Sequence, residues 1–88
     1  MNVEFKKSFL KDLKKIKNSN LKKSIIDCIL QIEKSSDFSE IKNIKKLAGY
    51  HNYYRIRIND YRLGIKFENE TVFIVIIEHR KDIYKLFP

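Results

Sequence analysis

The chain reads as one α+β domain, residues 1–88, with an N-terminal strand and a helical hairpin packed on a mainly antiparallel four-stranded sheet, closed by a short C-terminal helix or tail. Three observations predict it. Apolar residues recur at helical spacing before residue 35, they alternate with period two from Tyr53 onward, and 88 residues cannot supply two cores that each offset their own ordering entropy. A composition of 43% hydrophobic and 34% charged residues, with two Gly and one Pro, also excludes a disordered or collagen-like chain.

The elements follow in order. Met1-Asn2-Val3-Glu4-Phe5 alternates like a strand and has neither the basic start nor the apolar stretch of a secretory signal. Over residues 8–17, Phe9, Leu10, Leu13 and Ile16 recur at helical spacing with lysines mostly opposite, which predicts an amphipathic helix. Asn18-Ser19-Asn20 supplies turn and capping chemistry. Leu21, Ile25, Cys28, Ile29 and Ile32 then mark a second helix to about Lys34, with Cys28 as a small core residue. Residues 35–40 form a loop, and residues 41–46 carry either a helical turn or irregular chain.

From Tyr53 the residues Tyr54, Ile56 and Ile58 alternate with Tyr53, Arg55 and Arg57 before Asn59-Asp60 turns the chain. A two-residue turn there sets Ile58 opposite Tyr61, Arg57 opposite Arg62, Ile56 opposite Leu63, Arg55 opposite Gly64 and Tyr53 opposite Lys66. Every apolar residue then meets an apolar one. The other face gathers Arg55, Arg57, Arg62, Lys66 and Tyr53, and like charges facing each other across strands destabilise a sheet unless an anion, Glu78 or the C-terminal residues relieve them. Gly64 leaves no side chain in the way of a ligand backbone approaching that face. Residues 71–78 form a third strand, apolar on both faces and so expected in the sheet interior.

Charge narrows the function. Nineteen Lys and Arg against 11 Asp and Glu give a formal charge of +8, which points to polyanionic partners. Twelve of the fifteen Lys lie at or before Lys46, whereas all four Arg (Arg55, Arg57, Arg62, Arg80) come after it. Guanidinium offers a planar fork that matches phosphate in two bonds, while ammonium is a solvated point charge, so the lysines read as a surface coat and the arginines as a site. A domain with a radius of gyration of about 12 Å has little room for a deep pocket, so a long anion would lie across a face. Tyrosines beside the arginines can stack on bases, which makes single-stranded RNA or a phosphate backbone the natural ligand.

The longest apolar run, residues 72–77, is far short of the roughly 20 residues of a spanning helix, so no membrane contact is expected. The single cysteine, Cys28, excludes an internal disulfide and fits a reducing, cytoplasmic compartment, where the Asn69-Glu70-Thr71 glycosylation match has no meaning. His79 beside Arg80, and Tyr84 nearby, add a titratable imidazole and a phenol. A neutral imidazole can take a proton at pH 7, which makes His79 a candidate general base. His51, in a loop, reads as incidental, and Tyr84 reads as either a core or a lid residue.

Lys45-Lys46-Leu47-Ala48-Gly49-Tyr50, then Tyr53-Tyr54-Arg55-Ile56-Arg57-Ile58-Asn59-Asp60-Tyr61-Arg62-Leu63-Gly64, then His79-Arg80-Lys81-Asp82-Ile83-Tyr84, in that order after a helical hairpin, resemble the RelE/ParE superfamily of toxins from type II toxin-antitoxin systems. The resemblance is to the RelE-like branch and covers nearly the whole chain. It implies a ribosome-dependent mRNA endoribonuclease that cuts in the A site by attack of a ribose 2′-OH on the adjacent phosphate, with no metal and no cofactor. By position it implies that Arg62 stabilises the charged phosphorane, that Arg80 protonates the leaving oxygen and that Tyr84 lies near the scissile nucleotide. Arg55 and Arg57 stand where relatives carry lysines, and arginine cannot act as a base, so either His79 takes that role or the protein orients RNA and cuts weakly. The resemblance also implies a RelB-like antitoxin that wraps the toxin in a hetero-oligomer. Two other functions stay open, a ParE-like DNA gyrase poison and a non-catalytic module that binds nucleic acid or antitoxin.

Overall fold

The computed structural model describes residues 1–88. It contains β1 (Asn2–Phe5), α1 (Lys7–Lys15), α2 (Ser19–Lys34), a 3-10 turn (Phe38–Glu40), β2 (Ile44–Lys46), β3 (Tyr53–Ile58), β4 (Tyr61–Glu68), β5 (Thr71–His79) and α3 (Ile83–Leu86). The strands form one sheet in the order β1-β5-β4-β3-β2, with β1 parallel to β5 and every other pair antiparallel. The sheet thus has five strands where four were expected. The additional one is β2, whose three residues carry no visible period and are held by pairing with β3, Ile44 opposite Ile56 and Lys45 opposite Arg55. The strand β5 is interior as expected, flanked by β1 and β4.

The helical hairpin covers one face of the sheet. Phe9, Ile25 and Ile32 are sealed against Ile56, Leu63, Ile65, Val72, Ile74 and Ile77, all at most 2% exposed. Each such side chain contributes about 1.5–3 kcal/mol of transfer free energy, which explains why the helical and strand periods survive into the fold. The helix α1 ends at Lys15, two residues early, because Ile16 turns extended to bury its own side chain. Along its length α1 also seals the stretch of β5 beyond β1: the Lys6 amide donates to the Ile74 carbonyl at 2.9 Å, the Ser8 hydroxyl to the Val75 carbonyl, and the Ile77 amide to Asp12 Oδ2 at 3.2 Å.

The start of α2 is set by Asn18, whose Oδ1 accepts from the Leu21 amide at 3.0 Å and satisfies a donor that the helix cannot. Asn18→Ala is expected to cost about 1 kcal/mol, read as a lower urea midpoint with an unchanged slope. An unaltered midpoint would show that the cap is dispensable.

On the opposite face the chain returns as α3 and builds a second, smaller core from Leu47, Ile76, Ile83 and Phe87. Gly64 sits beneath it. A Cβ at this position would lie 2.6 Å from Ile76 Cγ2 and 2.9 Å from two carbons of the Phe87 ring. The missing side chain therefore makes room for the protein's own Phe87, and not, as the sequence suggested, for a ligand.

Candidate functional site

The β3-β4 pairing is the one that the two-residue turn dictates, with Arg57 opposite Arg62, Arg55 opposite Gly64 and Tyr53 opposite Lys66. Asn59 takes the left-handed conformation (φ 54°) that asparagine tolerates in such a turn. Because β2 pairs with β3, Lys45 joins Arg55 on the same face. An open cavity of about 350 Å³ results, lined by Asn43, Ile44, Lys45, Arg55, Arg57, Arg62 and Tyr84.

Each arginine is positioned without being neutralised. Arg62 Nη1 donates to the carbonyls of Asn59 and Tyr61, both at 2.9 Å, so the turn itself fixes the guanidinium. Arg57 Nη2 donates to Asn43 Oδ1 at 3.3 Å. The Arg55 guanidinium lies 4.6 Å from the centre of the Tyr84 ring, a cation-π contact with the rest of the fork left free. The one ion pair in the molecule joins Lys66 to Glu68 at 2.9 Å, outside the cavity. The charge that the cross-strand register brings together therefore has no carboxylate partner within the chain.

Glu78 is the carboxylate that could have done so, since it stands opposite Arg62 in β5. It instead lies beside the Asp12 carboxylate of α1. Its carboxyl is pushed up to about 7 by burial first, then by the hydrogen bond and negative charge of Asp12, with Asp82 adding to the rise and Lys15 opposing it. An acid whose folded pKa lies above its ordinary 4.5 favours the fold while protonated, so this contribution is complete below about 4.5 and is lost as pH rises through about 7. Glu78→Gln is accordingly expected to flatten the decline in melting temperature between about pH 5 and pH 8, measured against the parent protein. Parallel curves would show that a raised Glu78 carboxyl does not shape the pH dependence of stability.

The remaining predicted residues are placed elsewhere. Lys66 is drawn to Glu68 and toward the Tyr53 ring, 5.5 Å away, and the Glu68 contact holds its ammonium above the usual range. Tyr53 is wedged edge-on between Tyr50 and Phe87. Arg80 is exposed past the end of β5, its backbone amide donating to the Asp60 carbonyl at 2.7 Å, and it does not line the cavity. His79 pairs with Tyr61, which puts it on the helical-hairpin face, opposite to Arg62. Its ring meets Tyr61 edge-on at 5.5 Å and its Nδ1 accepts from the Lys81 amide at 3.1 Å. His51 is exposed.

The structure thus brings Arg55, Arg57, Arg62 and Tyr84 together, adds Asn43 and Lys45, which sequence reasoning missed, and leaves His79, Arg80, Lys66 and Tyr53 outside the cavity. No three His, Cys, Asp or Glu side chains converge where they could hold a metal ion. Chemically, the cavity offers a fixed fork of guanidinium donors for phosphate, beside an exposed aromatic ring.

A five-stranded sheet with a helical hairpin on one face is an architecture that this chain shares with small toxins of type II toxin-antitoxin systems. The family model described as ParE toxin of type II toxin-antitoxin system, parDE, matches residues 3–84. Over 89 aligned residues, the chain is 43% identical to Toxin RelE3 of Methanocaldococcus jannaschii, covering all of both chains. In the crystal structure of a RelB-RelE antitoxin-toxin complex from Methanococcus jannaschii, a chain 41% identical superposes with a TM-score of 0.79, covering 96% of this chain and 98% of that one. The isolated E. coli RelE toxin, at 21% identity, shares the fold with a TM-score of 0.72, over 96% of this chain and 90% of that one. The chain belongs to the RelE/ParE superfamily of type II toxin-antitoxin toxins, among its RelE-like members.

Proposed function

We propose that the protein is a cytoplasmic toxin that cuts translated messenger RNA in the ribosomal A site, held in check by a RelB-like antitoxin. The observation that carries this reading is the cluster of three arginines with no carboxylate partner, Arg55, Arg57 and Arg62, opening onto one cavity with Tyr84. The partner is supported by the RelB-RelE complex of the M. jannaschii relative. The +8 charge suits an acidic segment that orders on binding.

In this reaction the ribose 2′-oxygen bonds to the adjacent phosphorus, the bond to the 5′-oxygen breaks, and one proton moves in net from O2′ to O5′. Arg62, fixed by two carbonyls, stabilises the negative charge that builds on the phosphorane, and Arg55 and Arg57 hold the flanking phosphates. The ribosome-held messenger supplies the in-line geometry. Of the two routes left open by the missing lysines, the weak cutter that orients RNA fits the cavity better, because His79 faces the other side of the sheet. Arg80 reaches a leaving oxygen only if RNA extends past the end of β5.

Primer extension on a translated messenger, after induction without antitoxin, tests the reading. Cuts within codons support it. An intact messenger in arrested cells would favour the second reading, a gyrase poison, which the ParE-named family match keeps in view and a supercoiling assay would establish.

A further inference from the structure

The phosphate cavity does not end at Tyr84. A second open cavity of about 320 Å³ continues from it along the C-terminal segment, sharing Lys45, Arg55 and Tyr84 with the first. Its other lining is mostly apolar: Leu47, Ala48, Tyr50, Phe87 and Pro88, with Lys46 at the rim. Two aromatic rings stand in solvent around it, Tyr84 at 74% and Tyr50 at 53% exposure. Tyr50 meets Tyr53 edge-on at 6.3 Å, and Tyr53 meets the buried Phe87 at 5.4 Å, so Tyr50 is braced on a rigid aromatic row that leads into the second core.

The fold gains little from leaving both rings in water, and flat π-faces beside a cationic rim match one class of ligand well. We infer that this second cavity is a nucleobase subsite, in which an unpaired base of single-stranded RNA stacks on Tyr50 while its phosphate occupies the neighbouring arginine cavity. The shared Lys45 and Arg55 set the distance between the two parts of one nucleotide, and Tyr84 separates them. Gly49 takes the left-handed conformation (φ +79°) in the turn just before Tyr50, and Ala48 adds only a methyl group to the lining. The inference rests on the proposed RNA reading of the arginine cavity and names the part of the substrate beside it.

The test uses a short single-stranded RNA carrying 2-aminopurine, whose fluorescence falls on stacking, and a matched RNA abasic at that position. The parent protein is expected to quench the probe and to bind the abasic RNA about tenfold or more weakly, as stacking on one aromatic side chain requires. Tyr50→Ala is expected to lose both the quenching and the discrimination, and Tyr50→Phe, which keeps the ring, to retain them. Quenching by Tyr50→Ala equal to the parent's, or equal affinity of the parent for both RNAs, would overturn the subsite. Messenger cleavage is followed in parallel so that the two readings fail separately. Tyr50-dependent quenching without messenger cleavage keeps the subsite and removes the ribonuclease, and cleavage without such quenching does the reverse.

Discussion

Arg62→Ala is expected to lower messenger cleavage by roughly 100- to 1,000-fold, the cost of removing one preorganised donor from a site of developing charge, and so to abolish growth arrest. The fold should survive. Arg62 is only partly buried, its two hydrogen bonds go to carbonyls of its own turn, and no carboxylate loses a partner when it leaves. The variant also relieves the repulsion from Arg57 directly across the ladder, so its stability should equal or slightly exceed that of the parent. That pairing of lost activity with undiminished stability separates a functional arginine from a structural one. Arg62→Lys sharpens the comparison, because it keeps the charge but cannot hold both carbonyls and a phosphate in one plane, and cleavage intermediate between parent and alanine variant is expected. Primer extension reports the first effect and thermal melting the second. Full cleavage by Arg62→Ala, or a collapsed melting temperature, would sink the assignment.

The arginine face was legible in the sequence because one local device sets it. The turn at Asn59-Asp60 has two residues, the flanking strands alternate cleanly, and together they leave one register in which apolar residues meet. Nothing comparable fixes β5. Its run over residues 72–77 is apolar on both faces, so period two carries no signal there, and the bulge opposite Gly64 and Ile65 leaves Val75 without a partner and shifts the alternation by one. Which face received His79 could therefore not be read from the chain, and it fell on the side of Tyr61. Lys45 was hidden for a different reason. A three-residue strand exists only through its partner, and the side chains that it delivers become visible once β2 is paired with β3. The course of the C-terminal segment across the sheet was equally silent, since Ile83 and Phe87 look alike whether they pack on the helical hairpin or against it on the far face.

That far-face packing makes Gly64→Ala the most informative structural variant, and it is expected to cost about 1–3 kcal/mol, the usual penalty for forcing an extra carbon into a filled core. Gly64 lies in the middle of β4 with no left-handed backbone to protect, so alanine's strand conformation is not the obstacle. The obstacle is the 2.6 Å approach to Ile76 Cγ2 and the 2.9 Å approach to the Phe87 ring, so the added carbon must displace both the Ile76 side chain and the ring that holds the C-terminal segment on the sheet. Tyr84 rides on that segment, between Ile83 and Phe87, both sealed in the second core. The same methyl group should therefore weaken cleavage as well as stability, although Gly64 itself does not line the arginine cavity. A double-mutant cycle identifies the cause: in a Phe87→Ala background the ring is absent, and Gly64→Ala should cost measurably less than it does alone. If the two costs simply add, the C-terminal segment does not bear on Gly64. If Gly64→Ala melts with the parent and cuts as well, the clamp that holds Tyr84 over Arg55 is not set by this packing.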